Sequence, residues 1–309
     1  PLLGINRAQA LVPDNCRVIR NPQGTAPGMW FEKDGKVVIS MPGVPYEMVA
    51  IMESSALALL ADHFKTPAIL HKTVMTTGVA ESKLSDLLVG WEKALPSGFS
   101  LAYLPAPGMV KLRISGKGAS RTALEAQMEE LTRSLVAIVR DYWFGFDDIT
   151  MEETVGHLLA HHHWSVATAE SCTGGNIARL ITRIPGSSAY YKGGVVAYSN
   201  ELKVQYLGVT ASVLEQHGAV SRPVVEQMAL GCLEHLNTDC AIATSGIAGP
   251  DGGTPAKPVG TIWIAVATRQ GVISQCYQFG EHRERNVVKA SIAALNLLRI
   301  ELLKQTISE

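Results

Sequence analysis

Between Ala169 and Gly175 the chain reads Ala-Glu-Ser-Cys-Thr-Gly-Gly. A strand-like run, Ser165–Glu170, delivers the hydroxyl of Ser171 to the start of a helix expected over Asn176–Ile184. Unpaired N–H groups and the helix dipole favour an anion at such a place. Gly174 and Gly175 let a ligand come close to the backbone. The motif suits a phosphate or the oxyanion of an acyl-transfer intermediate. It suits equally a plain N-cap at Ser171 or Thr173. A serine nucleophile also needs a base. The run His161–His163 closes a helix, and three consecutive residues cannot share one helix face, so a solvated helix end is the simpler reading. His217, His235 and His282 have unremarkable neighbours, and no GxSxG elbow occurs. Lysine is the alternative base, provided that burial or a nearby cation lowers its pKa.

Two further features could bind a ligand. The loop Thr244–Gly260 is dense in glycine and proline, with Gly249, Gly252 and Gly253 near its centre and Thr244 at its start. A long loop of this kind after a strand is a common binding place in α/β sheets, although an ordinary surface loop has the same composition. It is not a phosphate loop of the GxxxxGK[ST] type. Arg283, Arg285 and Lys289 lie near the start of the last helix. A cation is disfavoured there by the helix dipole, so a bound anion would account for it, as would simple solvation.

The elements that must position these groups alternate strand and helix. The 309 residues are 47% hydrophobic and 18% charged, enough for two or three packed domains. Residues 1–68 read as the tail of an α/β unit, with GTAPGM and PGVPYEM loops around the strand Lys36–Met41 and a helix over Glu47–His63; an upstream segment is therefore expected. Residues 69–148 read as a small α+β domain, with strands His71–Thr77, Ser100–Pro105 and Val110–Gly116 and helices Glu81–Leu95 and Arg121–Tyr142. Residues 149–309 read as a layered α/β domain. Its strands are Ser165–Glu170, Gly194–Tyr198, Cys240–Thr244, Thr261–Thr268 and Val272–Phe279, and its helices include Val224–Leu236 behind the cap Ser221 and a last one over Glu284–Leu303. The 27 basic and 28 acidic residues give a formal charge of -1, which offers no general attraction to nucleic acid or an anionic membrane. Five widely spaced cysteines without a CxxC argue against a disulfide framework or zinc knuckle and for reduced core thiols of a cytoplasmic protein. No apolar run reaches the roughly 18–20 residues of a membrane span.

Several stretches together resemble the competence-damage-inducible CinA family. They are AESCTGG (169–175), YYKGGVVAYSNELKVQYLGV (190–209), GAVSRPVVEQMA (218–229), TSGIAGPDGG (244–253), KPVGTIWIAVA (257–267) and FGEHRER (279–285). The resemblance implies an amidohydrolase that converts nicotinamide mononucleotide to nicotinate mononucleotide and ammonia in pyridine-nucleotide recycling, with no cofactor. It places the Ser–Lys pair on Ser171 and Lys203, a supporting tyrosine on Tyr198, a threonine on Thr244 and a phosphate-side arginine on Arg283. A second arginine is expected four positions after Arg283, where Val287 stands, with Arg285 as a substitute. Substrate contacts are expected from Thr173, Gly174, Gly175, Thr244, Gly249, Gly252, Gly253 and Arg283, the N–H groups near Gly174 and Gly175 forming the oxyanion hole. The first 68 residues resemble the end of the family's molybdopterin-binding-like domain, and 69–148 resemble its KH-like domain, without a basic GxxG clamp for RNA. A divalent metal and ADP-ribose pyrophosphatase activity go with a complete N-terminal domain; that activity, or a non-catalytic regulatory role, is the alternative. The expected partner is a small nucleotide, the expected assembly a homodimer, with neither nucleic acid nor membrane engaged.

Overall fold

The computed structural model describes residues 11–64 and 66–306. It divides into two compact units at Ala68/Ile69. In the first, strands β1 (Arg17–Ile19), β2 (Gly28–Lys33) and β3 (Lys36–Ser40) form an antiparallel meander. Asp34 and Gly35, both at positive φ, make the two-residue turn between β2 and β3. Helix α1 (Pro45–Ile51), a π turn (Met52–Ala56) and α2 (Leu57–Phe64) follow. Ile19, Trp30, Ile51 and Ala56 form the small core. Of these strands only β3 is evident in the sequence; β2 starts inside the Gly/Pro run that reads as loop.

The second unit begins with a four-stranded sheet of order β5-β6-β4-β7, from β4 (Ala68–Thr77), β5 (Phe99–Ala106), β6 (Met109–Gly118) and β7 (Trp143–Phe146). Helices α3 (Glu81–Lys93) and α4 (Arg121–Ile138) close its core over Val74, Leu84, Leu88, Leu112, Ile114 and Leu135. Ser120 caps α4 by accepting from the N–H of Ala123. The expected helix to Tyr142 is shorter than that, because Trp143–Phe146 pairs with β4 instead. Aromatic residues that fit a half-buried sheet override helix continuation here.

Residues beyond 150 build a five-stranded sheet of order β12-β11-β10-β8-β9: β8 (Val166–Glu170), β9 (Tyr191–Val196), β10 (Cys240–Gly246), β11 (Thr261–Thr268) and β12 (Gly271–Gln278). β9, β8 and β10 run parallel, and β11 and β12 are antiparallel additions. The helices are α5 (Met151–His162), α6 (Asn176–Thr182), α7 (Asn200–Leu207), α8 (Ala211–His217), α9 (Arg222–His235) and α10 (Arg283–Thr306). The pleat sorts the two faces. Val166, Ile242, Ile262, Ile264 and Val266 meet α5, α6 and α10. Ala167, Ala169, Ala241, Ala243, Ala265 and Ala267 meet α9. Six alanines in a row of positions let α9 lie close to the sheet. On the other side, the turn between β5 and β6 rests on α10, a Cβ at Gly108 lying 3.3 Å from Ile292 Cβ and 3.6 Å from Lys289 Cα. Among the described residues no helix is long and apolar enough to cross a membrane.

Two glycines inside helices give opposite expectations. A Cβ at Gly231 of α9 would overlap the carbonyl oxygen of Leu207 at the end of α7, whereas one at Gly90 of α3 would meet nothing within 4 Å. Gly231→Ala is expected to cost about 3 kcal/mol through overpacking against backbone, and Gly90→Ala to gain about 0.5–1 kcal/mol through helix propensity. Thermal midpoints of the two variants moving in the same direction would contradict this packing.

Candidate active site

The parallel part of the last sheet decides where the chemistry collects. β8 is the first strand of the sheet in sequence, and its neighbours β9 and β10 both run parallel to it. Register aligns Glu170 with Thr244 on one side and with Val196 on the other. The loops leaving these three carboxyl ends therefore open at one place, and a crevice forms where the chain departs to either side of a central strand. Ser171 follows β8, Ala197–Ser199 follow β9, and Ser245 and Gly246 end β10.

A cavity of about 230 Å³ occupies this crevice, with Ser171, Cys172, Tyr198, Lys203, Ser245 and Arg283 in its wall. Lys203 lies on the first turns of α7, behind the cap Ser199. It is only 2% exposed. Its Nζ is 3.2 Å from Ser171 Oγ, and it donates to the carbonyls of Ala197 at 2.9 Å and Ser199 at 3.4 Å. Burial lowers the pKa of this amine from the ordinary lysine value. The three neighbours fix its chemistry. A neutral amine has two N–H groups for the two carbonyls, and its lone pair is then left for the serine hydroxyl. Ser171 is itself held by its N–H, which donates to the carbonyl of Thr244 at 3.1 Å.

A thiol sits beside this hydroxyl. Cys172 is buried, and that burial pushes its pKa up to about 12. A thiol with so high a pKa stays protonated at neutral pH and is inert as a nucleophile. Arg283 spans the mouth: one guanidinium nitrogen donates to the carbonyl of Gly249 at 2.8 Å, the other to the Tyr198 hydroxyl at 2.9 Å. Five N–H groups are available on a guanidinium, so three remain for a ligand.

Several expected contacts lie elsewhere. The start of α6 is not open to an anion, because the Glu170 carboxylate already fills it. Its oxygens accept from the N–H groups of Gly175 at 3.0 Å, Ile177 at 3.0 Å and Ala178 at 2.8 Å. The N–H of Gly174 donates to the Ser171 carbonyl. Gly174 and Gly175 thus supply backbone shape, at φ +60° and +92°, rather than an oxyanion hole. Glu170 is the residue that sequence reasoning missed; as the last residue of a buried strand it gave no sign of turning back over the following helix. Among the described residues, the N–H groups of Cys172 and Thr173 donate to no oxygen, and of the two only Cys172 lines the cavity, which leaves its N–H as the candidate.

Thr173 and Thr244 are buried and bond each other, hydroxyl to hydroxyl, at 2.8 Å; neither lines the cavity, whereas Ser245 does. Gly252 and Gly253 line a separate cavity of about 710 Å³ with Asp251, Thr254 and Glu281. Gly249 touches the site only through its carbonyl on Arg283. Val287 packs into the core, Lys289 faces a cavity next to the four-stranded sheet, and exposed Arg285 lines none of these spaces, so it does not stand in for a second arginine. Among the described residues no group of three or more His, Cys, Asp or Glu side chains is close enough to hold a metal.

Known proteins share this arrangement of sequence. The family model of the CinA C-terminal domain matches residues 148–302, and that of the damage-inducible protein CinA KH domain matches 71–145. A CinA-like protein of Cytophaga hutchinsonii is 46% identical over 298 residues, 96% of this chain and 71% of that protein. A CinA-like protein of Flavobacterium psychrophilum is 43% identical over 305 residues, 98% of this chain and 73% of that one. A solved competence-damaged protein (CinA) superfamily structure from Klebsiella pneumoniae is 38% identical, covers 50% of this chain and 96% of its own, and superposes with a TM-score of 0.49.

Proposed function

The chain belongs to the CinA family, and from that premise we propose that residues 149–309 hydrolyse the carboxamide of nicotinamide mononucleotide to nicotinate mononucleotide and ammonia. The observation that supports the reading most is a lysine amine, buried and with lowered pKa, 3.2 Å from a serine hydroxyl in the wall of a cavity.

The chemistry follows from those atoms. Lys203 Nζ takes the proton of Ser171 Oγ as the oxygen attacks the carboxamide carbon. The carbonyl oxygen becomes an oxyanion, for which the N–H of Cys172, in the cavity wall, is the candidate donor. The C–N bond then breaks, and ammonia leaves with the proton from Lys203. An ester of Ser171 remains. Water attacks it and gives one proton to Lys203; that proton returns to Ser171 Oγ as the ester C–O bond breaks, and the released acid loses its remaining proton to solvent. Tyr198, in the cavity wall, orients the carboxamide in this reading, and Arg283 meets the phosphate. No step passes through a metal or cofactor. Supplying the nucleotide and measuring ammonia tests the reading: one ammonia per nicotinate mononucleotide is expected. Binding of the nucleotide without release of either product would leave the regulatory alternative in its place.

The amine must be neutral to act, so kcat/KM is expected to fall as pH drops through the Lys203 pKa. Burial lowers that pKa, so the limb should lie below the value of about 10.4 for free lysine. A profile that rises only at or above the free-lysine value would remove Lys203 as the base.

A further inference from the structure

Six of the eight consecutive N–H groups from Ser171 to Ala178 are committed inside the protein. Ser171 donates to Thr244, Gly174 to Ser171 and Asn176 to Thr173, all to carbonyls. Gly175, Ile177 and Ala178 donate to Glu170. The Glu170 side chain is 1% exposed, and the mechanism above does not use it. We propose that Glu170 is a positioning residue for Ser171: its carboxylate ties the start of α6 back to the end of β8 and confines the free donors to the two N–H groups next to the nucleophile.

First, the first-turn N–H groups of a helix attract any anion within reach. With Glu170 in place, a substrate phosphate has no competing seat at α6 and goes to Arg283, so the carboxamide stays over Ser171. Second, the turn Ser171–Gly175 joins β8 to α6 through two glycines at left-handed φ, which have no side chains to anchor them. Three bonds from one carboxylate fix both ends of that turn. A displacement of about 1 Å at the nucleophile costs about 100-fold in rate. Glu170 does not touch the substrate, and its effect passes through the backbone.

The inference rests on the amidase reading for its substrate, so the test has a readout independent of that substrate. The rate at which phenylmethanesulfonyl fluoride labels Ser171, followed by mass spectrometry, reports the nucleophile alone. For Glu170→Gln, which keeps size but swaps one acceptor oxygen for an N–H donor, labelling is expected to slow about 10–100-fold, and kcat for the nucleotide to fall in parallel with KM within about twofold. In Glu170→Ala, added formate is expected to restore much of the labelling rate by filling the vacated seat, which lost packing alone would not allow. If Glu170→Ala does not fold, the Gln variant decides. Unchanged labelling in Glu170→Gln, or a higher KM with unchanged kcat, overturns the proposal. A wild type that labels quickly but releases no ammonia overturns the amidase reading instead.

Discussion

Replacing Lys203 by alanine is expected to cost as much activity as replacing Ser171 by alanine, and the double variant should be no worse than either. Each loss should reach at least about 1,000-fold in kcat, because a hydroxyl and its base act as one unit. The reason lies in what surrounds the pair. Among the described residues the amine bonds two backbone carbonyls and the serine hydroxyl, and no carboxylate or histidine among them stands within bonding distance to take over. The neighbouring thiol cannot substitute, since its pKa of about 12 keeps it protonated. The fold should survive. Lys203→Ala leaves the carbonyls of Ala197 and Ser199 without this donor, at about 1–3 kcal/mol, but it also removes an amine whose burial disfavours its charged form. Lys203→Met fills more of the space and should be the more stable of the two, with equally little activity. Ammonia release and circular dichroism on the same samples check both halves. Near-normal turnover by either lysine variant at neutral pH would falsify the mechanism.

Arg283→Ala should lower kcat/KM for nicotinamide mononucleotide about 100-fold or more, and for the riboside far less. A bidentate arginine–phosphate contact is among the strongest charge-assisted pairs, and remote binding energy of this kind also aligns the reacting group. Both substrates should lose something, because Arg283 also donates to the Tyr198 hydroxyl and the Gly249 carbonyl and so braces two rims of the cavity. The excess loss on the nucleotide measures the phosphate. Arg283→Lys keeps the charge without the planar fork and should fall between. With Val287 in the core and Arg285 turned out to solvent, no second arginine softens the effect. Equal losses on the two substrates would show that Arg283 only braces the rims.

What could be read from the sequence followed from local pattern. The motif 169–175, the strand before it and the helix after it all lie where periodicity and glycine chemistry place them. So do the last three strands. The contact between Ser171 and Lys203, 32 residues apart, depends on β9 returning beside β8, and spacing alone carries no such information. The role of Glu170 was hidden for a different reason. A carboxylate at a strand end looks like any polar boundary residue, until the helix is seen to start within its reach. The short strands β1 and β7 were missed because runs of three or four residues gain their stability from pairing, not from composition. Gly252 and Gly253 misled because one long loop lines two cavities, and only its first residues face the serine.

Helix α10 has its first turn at the crevice that holds Ser171 and, from Lys289 onward, serves as the floor on which Gly108 of the four-stranded layer sits. Those two positions are separated along the axis by about 9 Å of hydrogen-bonded backbone, a span with little compliance. The arginine and the hairpin are thus mounted on one stiff rod. An excision that removes residues 69–148 would strip the apolar flank of that rod around Ile292 and Ala293 and expose it to water, and an insertion at the hairpin would load it sideways. In either case the guanidinium is the working end of the lever, so the modules of this chain are not interchangeable parts even though the proposed amidase chemistry uses the side chains of only one of them.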